Sequence, residues 1–119
     1  MLFRSSEDSG HAAAQVLLGR GLAFDAVFAA SDLIAIGAMH ALAERALRIP
    51  EDVAVVGFDD IPAARMATPP LTTINQNTTL AGDLLVDRLV ALVEGTAAQS
   101  ERLPATLVVR RSSCESNPA

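Results

Sequence analysis

Residues 53–74 read VAVVGFDDIPAARMATPPLTTI, and this stretch decides the fold. Its opening, Val53 to Phe58, is an uninterrupted and largely β-branched apolar run. Such a run suits a strand covered on both faces of a parallel sheet, whereas a half-solvated strand would alternate. The run stops on two carboxylates, Asp59 and Asp60, where a buried strand would leave the sheet at its carboxyl end. Open α/β sheets bind ligands at that edge. Further on, Pro69 and Pro70 impose an extended segment, because neither ring fits a helix interior and Pro70 pushes the residue before it out of helical geometry.

Working back from this stretch, residues 25–30 (DAVFAA) read as a second short buried strand. Ser31 and Asp32 supply a helix cap ahead of LIAIGAMHALAERAL. Strand, helix and strand then form a right-handed parallel crossover. This puts Ser31 and Asp59 at strand ends on one edge of the sheet, and two polar groups converging there make a crevice. The first two turns of the helix, Leu33 to Met39, are apolar on every side, and a helix apolar all round is covered all round. The sheet covers one flank. A second copy of the chain about a twofold axis is the expected cover for the other, with a further segment of chain as the alternative. His40 follows Met39 on this helix and is expected at an interface or in solvent.

Towards the N-terminus, a polar start at residues 5–9 leads into an Ala-rich helix to about Leu18, ended by Gly19 and Gly21. Its expected apolar face is Ala13, Val16 and Leu17. Beyond the proline pair, residues 72–77 form an extended connector to a helix at about 80–94. There Ala81, Leu85, Leu89 and Leu92 make an apolar stripe and Gly95 the stop. A loop, a last strand after Pro104 and a tail expected to fray from Ser112 complete the chain.

Composition narrows the functional classes. The 119 residues are enough for one domain with a core. Half of them are hydrophobic and 19% charged. With a mean hydropathy of +0.34, this implies surfaces that another body covers. The net charge of −5 is the wrong sign for an independent nucleic-acid binder. All nine basic residues are arginines, which removes a P-loop lysine and a Schiff-base lysine. The lone Cys114 excludes an intrachain disulfide and a cysteine-cluster metal site. No run is long enough to span a membrane, and the start lacks the apolar core of an export signal, so a cytoplasmic protein is expected.

Asp59 and Asp60 are the most chemical-looking pair. Adjacent carboxylates could hold Mg²⁺, accept a phosphoryl group or act as acid and base. A phosphoryl-accepting pocket would normally add a lysine, and neighbours along a strand point to opposite faces, which argues against a shared proton shuttle. Two readings remain. Either one carboxylate accepts hydrogen bonds from a ligand while the other turns to loop or backbone, or both cap the following turn. His11 and His40 have no evident Ser or Cys partner, there is no G-x-S-x-G, and Gly19 and Gly21 follow a helix instead of opening one.

The strings FAASDLIAIGAMHAL, GFDDIP and PPLTTINQ, in this order, resemble the C-terminal part of the LacI/GalR family of transcription regulators. The resemblance runs from about Ser9-Gly10 to Val109-Arg110. It implies an α/β fold, a parallel sheet flanked by helices in an incomplete periplasmic-binding-protein type I-like lobe. In its terms residues 1–73 belong to the C-terminal lobe, 74–104 are a crossover and a helix that packs on an N-terminal lobe, 105–111 a return strand and 112–119 a tail. The helix-turn-helix headpiece of such regulators is absent from these residues.

By the same resemblance Asp59, Ser31, Gln76 and Ser5 face a small-molecule effector, of sugar type, and Ile36, Met39, His40, Arg65 and Met66 belong to a homodimer face. Two positions depart from the family pattern. Ser31 stands where sugar-responsive members often carry asparagine, and Ser5 where many carry an aromatic, leaving Phe3 or the other lobe to supply a stacking ring. The implied function is effector sensing and dimerisation in a regulator that reaches operator DNA through its headpiece, without enzymatic activity, cofactor or metal. A sugar-binding protein of a transporter shares the architecture and is the alternative. The chain alone supplies one wall of the cleft, so weak effector affinity and no specific DNA binding are expected of it.

Overall fold

The computed structural model describes residues 5–114; Phe3 and the last five residues of the expected tail lie outside the described residues. The elements in chain order are α1 (Glu7–Gly19), β1 (Ala26–Phe28), α2 (Asp32–Glu44), β2 (Ala54–Val56), α3 (Pro62–Met66), β3 (Thr73–Asn75), α4 (Thr78–Val93) and β4 (Thr106–Val108).

β1 and β2 pair in parallel, with Val27 opposite Val55. A parallel bridge from Val56 to Thr72 carries the ladder to the segment entering β3, supported by Gly57 N–H to Thr72 O at 2.9 Å and Asp59 N–H to Ile74 O at 2.9 Å. The parallel sheet flanked by helices is therefore as the sequence implies. β4 then pairs antiparallel with β3.

Burial is less even than the apolar runs suggest. Val53 and Val55 are buried whereas Ala54 and Val56 are half-buried, so β2 is fully covered on one face only. β1 departs further, with Phe28 67% exposed.

The core lies between α2 and the sheet. It joins Ala35, Ile36, Met39 and Leu42 to Val53, Val55, Ala64 and Leu71. α2 buries eight of its 13 residues because the sheet and α3 cover one flank and α1 the other. The flank expected to be covered by a second copy, or alternatively by a further segment, is covered in part by α1 of the same chain, where Ala38 and Ala41 are buried against Ala14, while Ile36 and Met39, 7% and 3% exposed, belong to the core on the sheet side.

α1 reaches α2 through small residues. It opens on a reciprocal Ser6–Ser9 capping box and buries Gly10 and Ala14, not the Ala13, Val16 and Leu17 face that spacing alone suggests. A Cβ on Gly10 would run into the Ile34 carbonyl, and one on Gly37 into the Glu7 carbonyl. Backbones approach this closely only where no side chain intervenes.

The chain end also differs from expectation. Ser112 is fully buried rather than frayed, and it sits between β2 and the start of β3. Its hydroxyl accepts from Thr72 N–H at 2.8 Å and donates to Val55 O at 2.5 Å. Its backbone accepts from Val55 N–H and donates to Pro70 O at 2.8 and 2.9 Å. Four hydrogen bonds from one residue stitch two strands where their own ladder has not yet begun.

α4 behaves differently. Asn77 caps it, in left-handed geometry at φ 51°, and it starts at Thr78, two residues earlier than expected. None of its 16 residues is buried. The radius of gyration is 17.6 Å, against roughly 13–14 Å for a compact chain of this length. α4, with none of its residues buried, is the helix left outside the core.

Candidate functional site

Three successive parallel strand segments end on one edge of the sheet, and each delivers polar side chains there. β1 leads to Ser31 and Asp32, β2 to Asp59 and Asp60, and β3 to Gln76. The register makes this edge a line of strand carboxyl ends, the location at which α/β sheets hold ligands.

Ser31 caps α2, its Oγ accepting from Ile34 N–H at 3.4 Å, and it is 8% exposed. One hydroxyl lone pair is therefore committed to the helix, leaving its proton and a second lone pair. Asp32, read from sequence only as part of the cap, is fully buried. Its carboxylate accepts from the Thr73 hydroxyl at 2.5 Å and from Ile61 N–H at 2.9 Å, while its own N–H donates to Phe58 O at 2.8 Å. It ties the start of α2 to the loops leaving β2 and entering β3. Gly57 is required beside it, because a Cβ there would strike Asp32 Oδ1.

Asp59 and Asp60 occupy φ values of 110° and 54°. Two consecutive non-glycine residues on the positive side of φ are uncommon and persist only when their surroundings over-determine them. Here the surroundings divide the pair. Asp60 is an internal anchor, its side chain 3% exposed and 2.6 Å from Arg110 Nη2. It also accepts from Asn75 Nδ2 at 2.8 Å, and Arg65 lies 3.7 Å away. Burial pushes its carboxyl pKa up, but the hydrogen bonds from Asn75 and Arg110, with the charges of Arg110 and Arg65, outweigh that and hold it below its ordinary value.

Asp59 is the open member. It is half-buried, its Oδ1 accepts from Gln76 Nε2 at 2.8 Å, and its Oδ2 takes no hydrogen bond from any described residue. A carboxylate with a free oxygen beside a side-chain amide can bind neighbouring hydroxyls of a polyol. The pair is thus divided, Asp60 turned to Arg110 and Asn75 and Asp59 left with one oxygen unpaired among the described residues. Ser5 is exposed, one residue ahead of the α1 cap, and makes no hydrogen bond to Ser31, Asp59 or Gln76.

The expected subunit-face residues also gather. His40 and Met66, the latter 78% exposed, line a shallow hollow with Ile36, Ala67 and Thr68. Met39 lies at the adjoining hollow, and the Arg65 side chain is 69% exposed. A separate hollow of about 480 Å³ lies on α4, lined by Leu84, Leu85, Arg88 and Leu103, and has no part in the strand-end edge. Among the described residues no three of His, Cys, Asp and Glu could hold a metal ion.

Four residues escaped sequence reasoning: Asp32, Asn75, Arg110 and Ser112. Asp32 carried a signal, since a capping Ser-Asp pair at a strand end places the second carboxylate near the next loop. Arg110 carried none, because its partner lies 50 positions away.

The periplasmic binding protein-like domain family matches residues 2–113. Among characterised proteins, the HTH-type transcriptional regulator CelR of Thermobifida fusca is 46% identical over 107 residues, covering 88% of this chain and 32% of CelR. The lactose operon repressor of Escherichia coli is 39% identical over 110 residues, 92% of this chain and 31% of the repressor. Among solved structures, the lac repressor dimer bound to operator and the anti-inducer ONPF superimposes with a TM-score of 0.85 at 39% identity, over 91% of this chain and 38% of that one. A CelR–cellobiose complex gives a TM-score of 0.84 at 45% identity, over 90% and 33%. The chain thus spans about a third of the length of the curated relatives it matches. With the parallel strand-end edge, the divided aspartate pair and these matches together, the chain belongs to the periplasmic binding protein-like domain family, in the form carried by LacI/GalR regulators.

Proposed function

We propose that this chain forms one wall of the effector cleft of a LacI-type transcriptional regulator, taking a sugar or similar polyol, and that it contributes to a homodimer face. The observation that carries the reading is the Asp59–Gln76 pair at the strand ends, hydrogen-bonded at 2.8 Å with one carboxylate oxygen left open. Asp59 is the principal acceptor for ligand hydroxyls. Gln76 orients it and offers its own amide oxygen, Ser31 donates its remaining proton, and exposed Ser5 lies at the rim. His40, Arg65 and Met66 are the exposed part of the subunit face, with Ile36 and Met39 beneath them. Residues 74–104 serve as crossover and as a helix packing on a second lobe. Operator DNA is contacted through a headpiece elsewhere in the protein, the compartment is the cytoplasm, and no catalysis is performed.

The ligand couples to DNA binding because it favours one arrangement of two lobes over the other, and it shifts their equilibrium only by that difference in affinity. The chemistry of the wall and the cellobiose complex of CelR favour a sugar. The test is calorimetric titration of the full-length protein carrying this chain with cellobiose, lactose and ribose. A sugar that binds the wild type should bind Asp59→Asn roughly 10- to 100-fold more weakly, the loss expected for a charge-assisted hydrogen bond. Equal affinity of the two proteins would overturn the assignment of Asp59. The transporter reading would instead predict sugar binding without operator binding in the same full-length protein.

A further inference from the structure

We propose that Arg110, acting through Asp60, is the positioning residue that sets Asp59 for its ligand; the inference rests on the reading of Asp59 given above. Asp59 is itself held lightly, by one backbone hydrogen bond to Ile74 O and one side-chain hydrogen bond from Gln76, at a φ of 110° that the residue does not adopt unaided. The constraint comes from its neighbour. Asp60 is fixed at φ 54° by three groups from the later part of the chain: Arg110 Nη2 at 2.6 Å, Asn75 Nδ2 at 2.8 Å and the Thr73 hydroxyl, which accepts from Asp60 N–H at 3.3 Å.

Arg110 is itself rigid. Its Nη1 donates to Leu71 O at 2.9 Å, its N–H donates to Thr72 Oγ1 at 2.8 Å, and that hydroxyl donates to Arg110 O at 2.9 Å. The guanidinium is 14% exposed and therefore works largely out of water. Its planar fork binds one carbonyl and one carboxylate simultaneously, which a lysine ammonium cannot reproduce with the same geometry. Arg65, the other cation facing Asp60, is 3.7 Å away and 69% exposed, too distant and too wet to substitute.

Neutralising or removing Arg110 leaves a buried carboxylate without its nearest cation, and turning Asp60 outward to water relieves the cost. Because Asp59 and Asp60 share a peptide plane, that rotation withdraws the Asp59 carboxylate from Gln76. Arg110 is thereby linked to the ligand carboxylate although it never touches the ligand.

The test compares Arg110→Met, Arg110→Lys and Asp59→Asn in the full-length protein by two readouts, titration with cellobiose, lactose and ribose, and NMR of the Gln76 side-chain amide. Arg110→Met should displace the Gln76 amide resonances as Asp59→Asn does, and should weaken any bound sugar about 10-fold or more. Arg110→Lys should recover folding stability but only part of the affinity and of the Gln76 shift. Gln76 resonances unmoved in Arg110→Met, or sugar affinity within twofold of wild type while the melting temperature falls, would overturn the proposal and leave Arg110 a stabilising residue alone. If Arg110→Met does not fold, Arg110→Lys with unchanged Gln76 resonances and full affinity is the overturning result. The two readings fail separately: Asp59→Asn binding sugar normally sinks the site assignment, whereas the Gln76 resonances judge Arg110 whether or not a sugar binds.

Discussion

α2 and α4 are of similar length and both rich in apolar residues, yet α2 buries eight of its 13 residues and α4 none of its 16. The difference lies in what surrounds them. α2 is clasped by α1, the sheet and α3, while Leu85, Leu89, Leu92 and Val93 of α4 are 71%, 60%, 58% and 79% exposed. Apolar composition sets how much stabilisation a helix could gain by burial, and its neighbours decide how much it does gain.

Truncation should break this comparison most plainly. Leu71→Ala, in the fully buried core beside α2, is expected to cost about 2–5 kcal/mol in a denaturant titration of the chain. Leu89→Ala, on exposed α4, should change stability by less than about 0.5 kcal/mol. A large cost for Leu89→Ala would mean that α4 is buried in solution, by a second lobe or another copy.

A smaller effect sharpens the same contrast at glycine. Gly37→Ala forces a methyl into the Glu7 carbonyl at the α1–α2 crossing and should destabilise by about 1–3 kcal/mol. Gly82→Ala on α4 meets nothing within 4 Å and should stabilise by up to about 1 kcal/mol through helix propensity. Thermal melts of the two variants should therefore shift in opposite directions.

The mildest prediction concerns pH at the junction of the two regions. Asp60 has a folded pKa held below its ordinary value of 3.8, so the folded state binds the proton less readily than the unfolded state. Its contribution is fully present above the unfolded pKa and is lost as pH falls through the folded one. Melting temperatures measured from pH 6 down to pH 2 should fall more steeply for wild type than for Asp60→Asn, the two curves converging in acid. Parallel curves would show that the Arg110–Asp60 pair contributes nothing to the pH dependence.

Much of the site was legible because it depends on short-range rules. An apolar β-branched run ending on GFDD gives a parallel strand and a polar strand end, and a Ser-Asp pair before an apolar helix gives a second one on the same edge. Burial was read less well. β-branched spacing cannot reveal that Phe28 stands 67% exposed on an edge strand, nor can helical spacing reveal that α1 turns Gly10 and Ala14 inward. Those outcomes depend on which neighbours are present and on how closely two backbones approach.

The sequence by itself determined the α/β class, the strand-end location of Ser31 and Asp59, and the family to which the chain belongs, since periodicity, capping and motif order are local properties. Only the tertiary structure decided the anchoring of Asp60 on Asn75 and Arg110, the burial of Ile36 and Met39 inside the chain and the seating of Ser112 between two strands. The first and last rest on partners 15 to 57 positions apart, Asn75 and Arg110 for Asp60 and Val55 for Ser112. A hydrogen bond across such a separation leaves no periodic trace in sequence, because the geometry that makes it exists only once the intervening chain has folded.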